Sequence, residues 1–524
     1  MIPMTQQRLI MLSALFMLFA YNDIFFKHLV ETYPLTLQNT PFLFSVSLLI
    51  YALFTLLLTL VSSKALLKPI VIFSFIVASL VSYFMHTYHI VVDKTMIENT
   101  LQTNLKESQD LWSLAMLFYL LFLGILPAWF VSRVALSSSN LKESLIAKTK
   151  LFGVHLLLIV VILFSFSNYY TSFFREHKEL RLYTNPLTPI YNFVAYTYYH
   201  FKNTNTPIDK IGLDAKQVKK EPKRKIVVMV VGEAARSDHF SLNGYDKKTN
   251  PLLEKEDIVN FSQLYSCGTT TAVSVPCMFS VYDRDSYNST KGRYTYNALD
   301  ILSHAGVDVL WRDNNSDSKG VAVRVKYSDY KTPKNNTICD VECRDEGMLV
   351  GLQERIEETK NDILIVLHQM GNHGPAYYKR VPKSFEHFNP ICKTNQLEQC
   401  SKEEISNAYD NAILYTDSFL SKVIKLLKGY ENRNNTAMIY MADHGESLGE
   451  NGLYLHGLPY FIAPDNQKHV GALMWFGKAF PIDREKLQAK ASKRFSHDNL
   501  FSTLLGLFEV QTKEYRPKMD MLRE

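Results

Sequence analysis

Four short stretches, far apart in the chain, concentrate side chains able to hold a cation and attack an electrophile. They are Gly232-Glu233, Cys267-Gly268-Thr269-Thr270-Thr271, His368 to Pro375 (HQMGNHGP) and Ala442 to Glu446 (ADHGE). Glu, Asp and His are ligands for a borderline cation such as zinc. A Thr in a Gly-containing turn before a helix start is a candidate nucleophile, because the free N–H groups of the first turn face an anion. Thr269, Thr270 and Thr271 are interchangeable on this argument, and a Thr-rich helix cap accounts for at least two of them. Taken together the four stretches imply metal-activated group transfer.

The elements that must position these residues are strands. Glu233 follows the apolar β-branched run Ile226 to Val231, and Asp443-His444 follows Met438 to Met441. Val307 to Trp311 and Ile363 to Leu367 have the same character, and helical patterns occupy Asn297 to Ala305, Met348 to Lys360, Glu403 to Tyr430 and His497 to Leu507. Apolar strands alternating with helices predict an α/β layered domain from residue 225 to 524 with a mostly parallel sheet. Sites in open α/β sheets lie beyond the carboxyl ends of the strands, which is where these acids and imidazoles fall.

The first 170 residues are of another kind, rich in Leu, Phe, Ile and Val. Five apolar stretches are each long enough to cross a bilayer: Leu9 to Val30, Phe42 to Val61, Ile70 to Val91, Leu111 to Val134 and Leu151 to Tyr169. The first is interrupted by Asn22, Asp23 and Lys27; a signal peptide is the alternative, but without a clear small-residue cleavage site or a strongly basic start the stretch reads as a retained span with a polar outer end. Arg8, Lys64, Lys68, Arg133, Lys142, Lys148 and Lys150 fall on one side of this arrangement. Lys94 and Lys106 fall on the other, among Asp93, Glu98, Glu107 and Asp110. The positive-inside rule then puts the N-terminus in the cytoplasm and everything after Tyr169 outside. Aromatic residues crowd the stretch 171–224, which predicts short helices at the membrane interface followed by a polar linker from Lys202.

All six cysteines (Cys267, Cys277, Cys339, Cys343, Cys392, Cys400) lie in the outer part, in three locally spaced pairs. An even set without tight CxxC pairs points to disulfides in an oxidising compartment, which agrees with the orientation from charge. Local pairing is the expectation, among about 15 connectivities that six cysteines allow. The net charge of +6 is modest for 524 residues, and no basic block interleaved with aromatics supports nucleic-acid binding.

GEAARSDHFSLNGY, CGTTTAVSVPCMFS, GNHGP and DHGESLGE occur in this order behind five apolar stretches, and together they resemble the lipid A phosphoethanolamine transferase family. That family includes the mobile colistin-resistance enzymes and belongs to the alkaline phosphatase/sulfatase-like superfamily. The resemblance covers essentially the whole chain. It implies a bacterial inner-membrane enzyme with a periplasmic catalytic domain. Phosphatidylethanolamine would be the donor and lipid A or lipopolysaccharide the acceptor. It implies one tightly bound zinc ion, with a second possible, and lowered sensitivity to polymyxins.

Carried over by motif, the zinc ligands are Glu233, Thr271, Asp443 and His444, and Thr271 is the nucleophile. His373 and His456 would line the substrate site or a second, weaker zinc site, as catalytic or substrate-binding residues. Asn315 and Lys319, in DNNSDSKG, match positions that contact the phosphoethanolamine group. Two departures stand out: Ala234 replaces a Thr common in the family, and Cys339 and Cys343 are unusually close. Alternatives with the same donor use a core sugar, a glycan or a protein as acceptor. More distant ones are a manganese phosphoglycerol transferase, a sulfatase or phosphatase, and a membrane sensor with an inactive transferase domain.

Overall fold

The fold is described from a computed structural model that covers residues 2–103, 105–137, 140–202, 206–218 and 222–523. The chain divides into two compact units: Met1–Ile97 with Trp112–Tyr199, and Glu98–Leu111 with His200–Glu524.

The first unit is helical. Among the described residues four helices are long and apolar enough to cross a membrane: Thr40–Val61, Leu67–Tyr88, Leu114–Ser132 and Lys142–Ser165. The first apolar stretch is a bent pair, Gln6–Tyr21 and Asp23–Thr32, with 63° between them. The break sits at the polar residues seen in the sequence. Asn22 is buried, its Nδ2 donating to the Met17 carbonyl at 2.9 Å and the Asn185 carbonyl at 2.7 Å. The Asn185 amide returns a bond to Asn22 Oδ1 at 3.0 Å, and Asn185 Nδ2 reaches Ala78 O and Ser82 Oγ. The Met17 carbonyl, at the end of the first helix, is thereby satisfied inside the helical unit. The aromatic segment forms helices Ser167–Glu176 and Leu187–Lys202, with a 3-10 turn at Lys178–Tyr183 between them. Of the linker expected after Lys202, residues 203–205 and 219–221 lie outside the described residues.

The second unit is built on a seven-stranded sheet. Its strands are β1 (Lys225–Gly232), β2 (Ile258–Asn260), β3 (Asp308–Asp313), β4 (Lys326–Asp329), β5 (Ile363–His368), β6 (Asn435–Ala442) and β7 (Ala472–Phe476). Their order across the sheet is β2–β7–β6–β1–β5–β3–β4. Every residue of β1 and β6 is buried, and the helix Lys402–Lys428 lays an apolar face against the core. Each fully buried Val or Ile of β1 contributes about 1.5–3 kcal/mol relative to exposure.

The expectation of a mostly parallel sheet is corrected, because the sheet is mixed. β6, β1, β5, β3 and β4 run parallel, but β7 pairs antiparallel with β6, and β2 antiparallel with β7. Parallel neighbours need a crossover connection, usually a helix. Between β6 and β7 the chain instead passes through a short hairpin, Ser447–Leu448 against Tyr454–Leu455, and returns in the opposite direction. The four strands recognised in the sequence are all in the parallel block. The missed ones are a three-residue edge strand, the polar edge strand KYSD and the five-residue β7.

All three local cysteine pairs are bridged: Cys267–Cys277, Cys339–Cys343 and Cys392–Cys400.

Candidate functional site

The carboxyl ends of β1, β6, β3 and β5 meet on one edge of the sheet, and each delivers a polar residue there. Glu233 follows β1, Asp443 and His444 follow β6, Asn315 follows β3, and Gln369 to His373 follow β5. Glu233, Asp443 and His444 are buried, with one donor atom of each lying within 4.8 Å of the others. His444 Nε2 stands 3.4 Å from Glu233 Oε1 and 3.5 Å from Asp443 Oδ2.

The nucleophile turn approaches from the side. Helix Thr271–Met278 begins here with Thr270 as its N-cap. The three threonines, equivalent in the sequence, are placed differently in the structure. Thr269 Oγ1 donates to the Leu458 carbonyl at 2.6 Å, whereas Thr271 Oγ1 lies 3.3 Å from both Glu233 Oε2 and His444 Nε2. A Cβ on Gly268 would come within 2.8 Å of Val273 and 3.1 Å of the Ser274 amide, so the turn can close this tightly only with glycine there.

The donor set fits a divalent cation on its own chemistry. His444 Nδ1 bonds the Gly445 carbonyl at 2.8 Å, so Nδ1 carries the hydrogen and the Nε2 lone pair faces the acids. Asp443 Oδ1 accepts the amides of Ala234 at 3.1 Å and His444 at 2.8 Å. Its other oxygen, Oδ2, is buried without a hydrogen-bond partner among the described residues. Asn315 Nδ2 donates to Glu233 Oε2 at 2.8 Å and to the Gln369 carbonyl at 2.7 Å. Two carboxylates, an imidazole lone pair and a hydroxyl converge here, which is the kind of donor set that holds a divalent cation.

Around this set sit the two other histidines. The His456 ring lies 4.1 Å from that of His444 and 6.3 Å from that of His373, centre to centre. His456 Nδ1 is 3.2 Å from Glu446 Oε1. Burial lowers His456 to about 4 and holds His373 and His444 below the usual histidine range, while it pushes Glu446 up to about 8. Lys319 stands apart from the donor set. It is half-buried, in the left-handed region at φ +50°, and lines a cleft with Ala272, Pro276 and Arg293.

Several residues that build this site gave no signal in the sequence. Asp345, buried, accepts the amides of Met370 at 2.8 Å and Gly371 at 3.2 Å and the Asn314 side chain at 2.8 Å. It thereby holds the loop that carries His373. Gly371, at φ +47°, passes so close that a Cβ would sit 3.0 Å from the Glu233 carbonyl. Arg236 bonds the Glu446 carbonyl at 3.2 Å and pairs with Asp238 and Glu450. His497 ties the nucleophile turn to β6. Asp345 and His497 lie outside every motif read in the sequence, and Gly371 and Arg236, though inside two of them, act through neighbours far away in sequence that the motifs do not show.

Comparison with known proteins places the chain among relatives. The Sulfatase family matches residues 225–510, and the family described as Phosphoethanolamine transferase EptA/EptB matches residues 50–201. Phosphatidylethanolamine transferase Mcr-2 of Escherichia coli is 44% identical over 95% of this chain and 94% of its own. Phosphoethanolamine transferase EptA of Escherichia coli K12 is 39% identical over 98% of this chain and 96% of its own. The solved integral membrane lipooligosaccharide phosphoethanolamine transferase A of Neisseria meningitidis superposes with a TM-score of 0.95 at 34% identity, covering 100% of this chain and 99% of that one.

Fold and site thus place the catalytic unit in the alkaline phosphatase/sulfatase-like superfamily. Within it, this chain belongs to the phosphoethanolamine transferase family that contains EptA and the Mcr enzymes.

Proposed function

We propose that this chain moves phosphoethanolamine from phosphatidylethanolamine to a phosphate of lipid A, through a zinc-activated Thr271 and a covalent intermediate. The observation that carries this reading is the position of Thr271 Oγ1, 3.3 Å from both Glu233 Oε2 and His444 Nε2 at a helix N-terminus. Family membership supports the transferred group.

Glu233, Thr271, Asp443 and His444 would hold one zinc ion tightly, and when bound it would lower the pKa of the threonine hydroxyl and offset charge on phosphoryl oxygens. Thr271 Oγ then attacks the phosphorus of the donor. An Oγ–P bond forms, the bond to the glycerol oxygen breaks, and diacylglycerol leaves. A lipid A phosphate oxygen next attacks the same phosphorus and restores the threonine. His373 or His456, neutral where it is buried, takes up the Thr271 hydroxyl proton and passes it to the leaving glycerol oxygen, and a proton from the acceptor phosphate returns to Thr271 when the acceptor attacks. Asn315 and Lys319 orient the phosphoethanolamine group.

Both substrates are lipids, so the reading includes the membrane. Residues 1–170 form the transmembrane domain with a cytoplasmic N-terminus, 171–224 the interfacial helices and linker, and 225–524 the periplasmic catalytic domain. The added ammonium group lowers the negative charge of the outer surface and with it the attraction for polymyxins.

The test is a trapping experiment. Purified full-length chain is incubated with phosphatidylethanolamine and no acceptor, then digested for peptide mass spectrometry. A phosphoethanolamine adduct on Thr271, absent from Thr271→Ala, is the expected result. Diacylglycerol release without any adduct on the chain would overturn the covalent step.

A further inference from the structure

The segment Glu98–Leu111 lies in sequence between two apolar helices, yet it packs as part of the second unit. It is fastened there at both ends. At its start the buried Glu98 carboxylate accepts from Ser289 Oγ at 2.8 Å and from Arg293 Nη2 at 3.4 Å. Ser289 and Arg293 bound a short helix packed on the Thr271–Met278 helix. At its end Asp110 Oδ2 accepts Arg380 Nη2 at 3.0 Å, and Asp110 Oδ1 pairs with Lys379.

Arg380 connects this carboxylate to the site. Its side chain is 2% exposed. Nε donates to the His373 carbonyl at 2.6 Å, and Nη1 pairs with Glu342, which lies inside the Cys339–Cys343 loop. A guanidinium is planar and its donors have fixed directions. With Asp110 on one nitrogen and Glu342 on another, the direction of Nε is set, and so is the backbone of His373. A buried ion cluster of this kind is weak as a source of stability, since apolar side chains of the same volume do as well. Its geometry does something they do not: it fixes one carbonyl of the loop that carries a histidine of the site.

We infer that Glu98–Leu111 is a positioning element of the active site, with Asp110 acting through Arg380 to hold the His373 loop. This rests on the reading of His373 as a proton-transfer residue.

The test uses the full chain in lipid nanodiscs. Asp110→Ala, Asp110→Glu and Arg380→Lys are compared for steady-state transfer and for amide hydrogen exchange. Asp110→Ala is expected to lower kcat on the order of 10–100-fold, the range typical of outer-shell partners, with KM little changed. Asp110→Glu should recover much of that loss. Arg380→Lys keeps the charge but loses the fork, and should match Asp110→Ala, with the double variant no worse than either. Exchange should rise across Gly371 to Tyr378 and stay unchanged in β1 and β6.

Unchanged exchange in that loop, a raised KM at constant kcat, or faster exchange spread equally over the sheet would each overturn the inference. Absence of transfer in the unsubstituted chain would instead remove the proposed function, and loop exchange in Asp110→Ala would still decide the linkage.

Discussion

His497 Nδ1 accepts the backbone N–H of Cys267 at 3.1 Å, and its Nε2 donates to the Ala442 carbonyl at 2.9 Å. One imidazole thus joins the turn that presents Thr271 to the strand that presents Asp443 and His444. Both bonds require the neutral ring, with the hydrogen on Nε2. Burial favours that form and lowers His497 from 6.5 to about 4.

This linkage has a pH signature. The unfolded chain takes up a proton on His497 below 6.5 and the folded chain does not until about 4. Stability from this group is therefore fully present above pH 6.5 and is lost as pH falls toward 4, by about 3 kcal/mol at most. His497→Ala should cost about 1–3 kcal/mol at pH 7.5 from the two lost bonds. The gap between variant and parent should narrow as pH falls toward 4. Calorimetry of the full chain at a series of pH values checks this; a gap constant with pH would show that folding does not shift the titration of His497.

How far the sequence reveals this site follows from where each residue lies. Glu233, Asp443 and His444 each terminate a strand whose apolar run is long and buried on both faces, so their placement was legible. Lys319, singled out by motif, lines a cleft with Ala272, the chain neighbour of Thr271. Which threonine faces the acids was not legible from residue type and spacing alone. It depends on Thr269 being drawn to the Leu458 carbonyl, 189 positions away. His497, Asp345 and Arg380 were invisible for the same reason, since their partners come from distant elements. The antiparallel pairings escaped because both involve β7, a five-residue strand, and one of them the three-residue edge strand β2, too short to carry a pattern.

Asn315 should matter through Glu233. Its two amide hydrogens go to Glu233 Oε2 and the Gln369 carbonyl, which holds the carboxylate in one orientation. Asn315→Ala should weaken metal binding by on the order of 10–100-fold, as outer-shell losses do. Asn315→Asp should be worse, because it sets a second negative charge against Glu233. Titration with a competing chelator measures both; equal affinities in all three proteins would remove Asn315 from this role.

Metal removal should loosen the fold as well as stop the reaction. Without a cation, the buried carboxylates of Glu233 and Asp443 lie close together. A ligand bound only by the native state stabilises it by RT ln(1 + [L]/Kd). Chelation should lower the melting temperature, and zinc should restore it. Glu233→Ala and Asp443→Ala should bind little metal by elemental analysis and lose this response. A response to zinc preserved in both variants would contradict their assignment as ligands.

The Cys267–Cys277 bridge closes a ten-residue separation around the nucleophile turn. The chain-entropy argument gives it about 2–3 kcal/mol. Cys267→Ser with Cys277→Ser should lower the melting temperature and reduce kcat by loosening the Thr271 turn. If kcat is retained in the folded variant, Gly268, Thr269 and His497 suffice to hold the turn.

The central claim is that Thr271 carries phosphoethanolamine to lipid A. Its most direct test is mass spectrometry of lipid A from a polymyxin-sensitive host expressing this chain or its Thr271→Ala variant. The account predicts a phosphoethanolamine increment on lipid A with the parent chain and none with the variant. An increment that persists in Thr271→Ala would contradict the nucleophile. No increment from the parent chain, with phosphatidylethanolamine still consumed to diacylglycerol, would contradict lipid A as the acceptor.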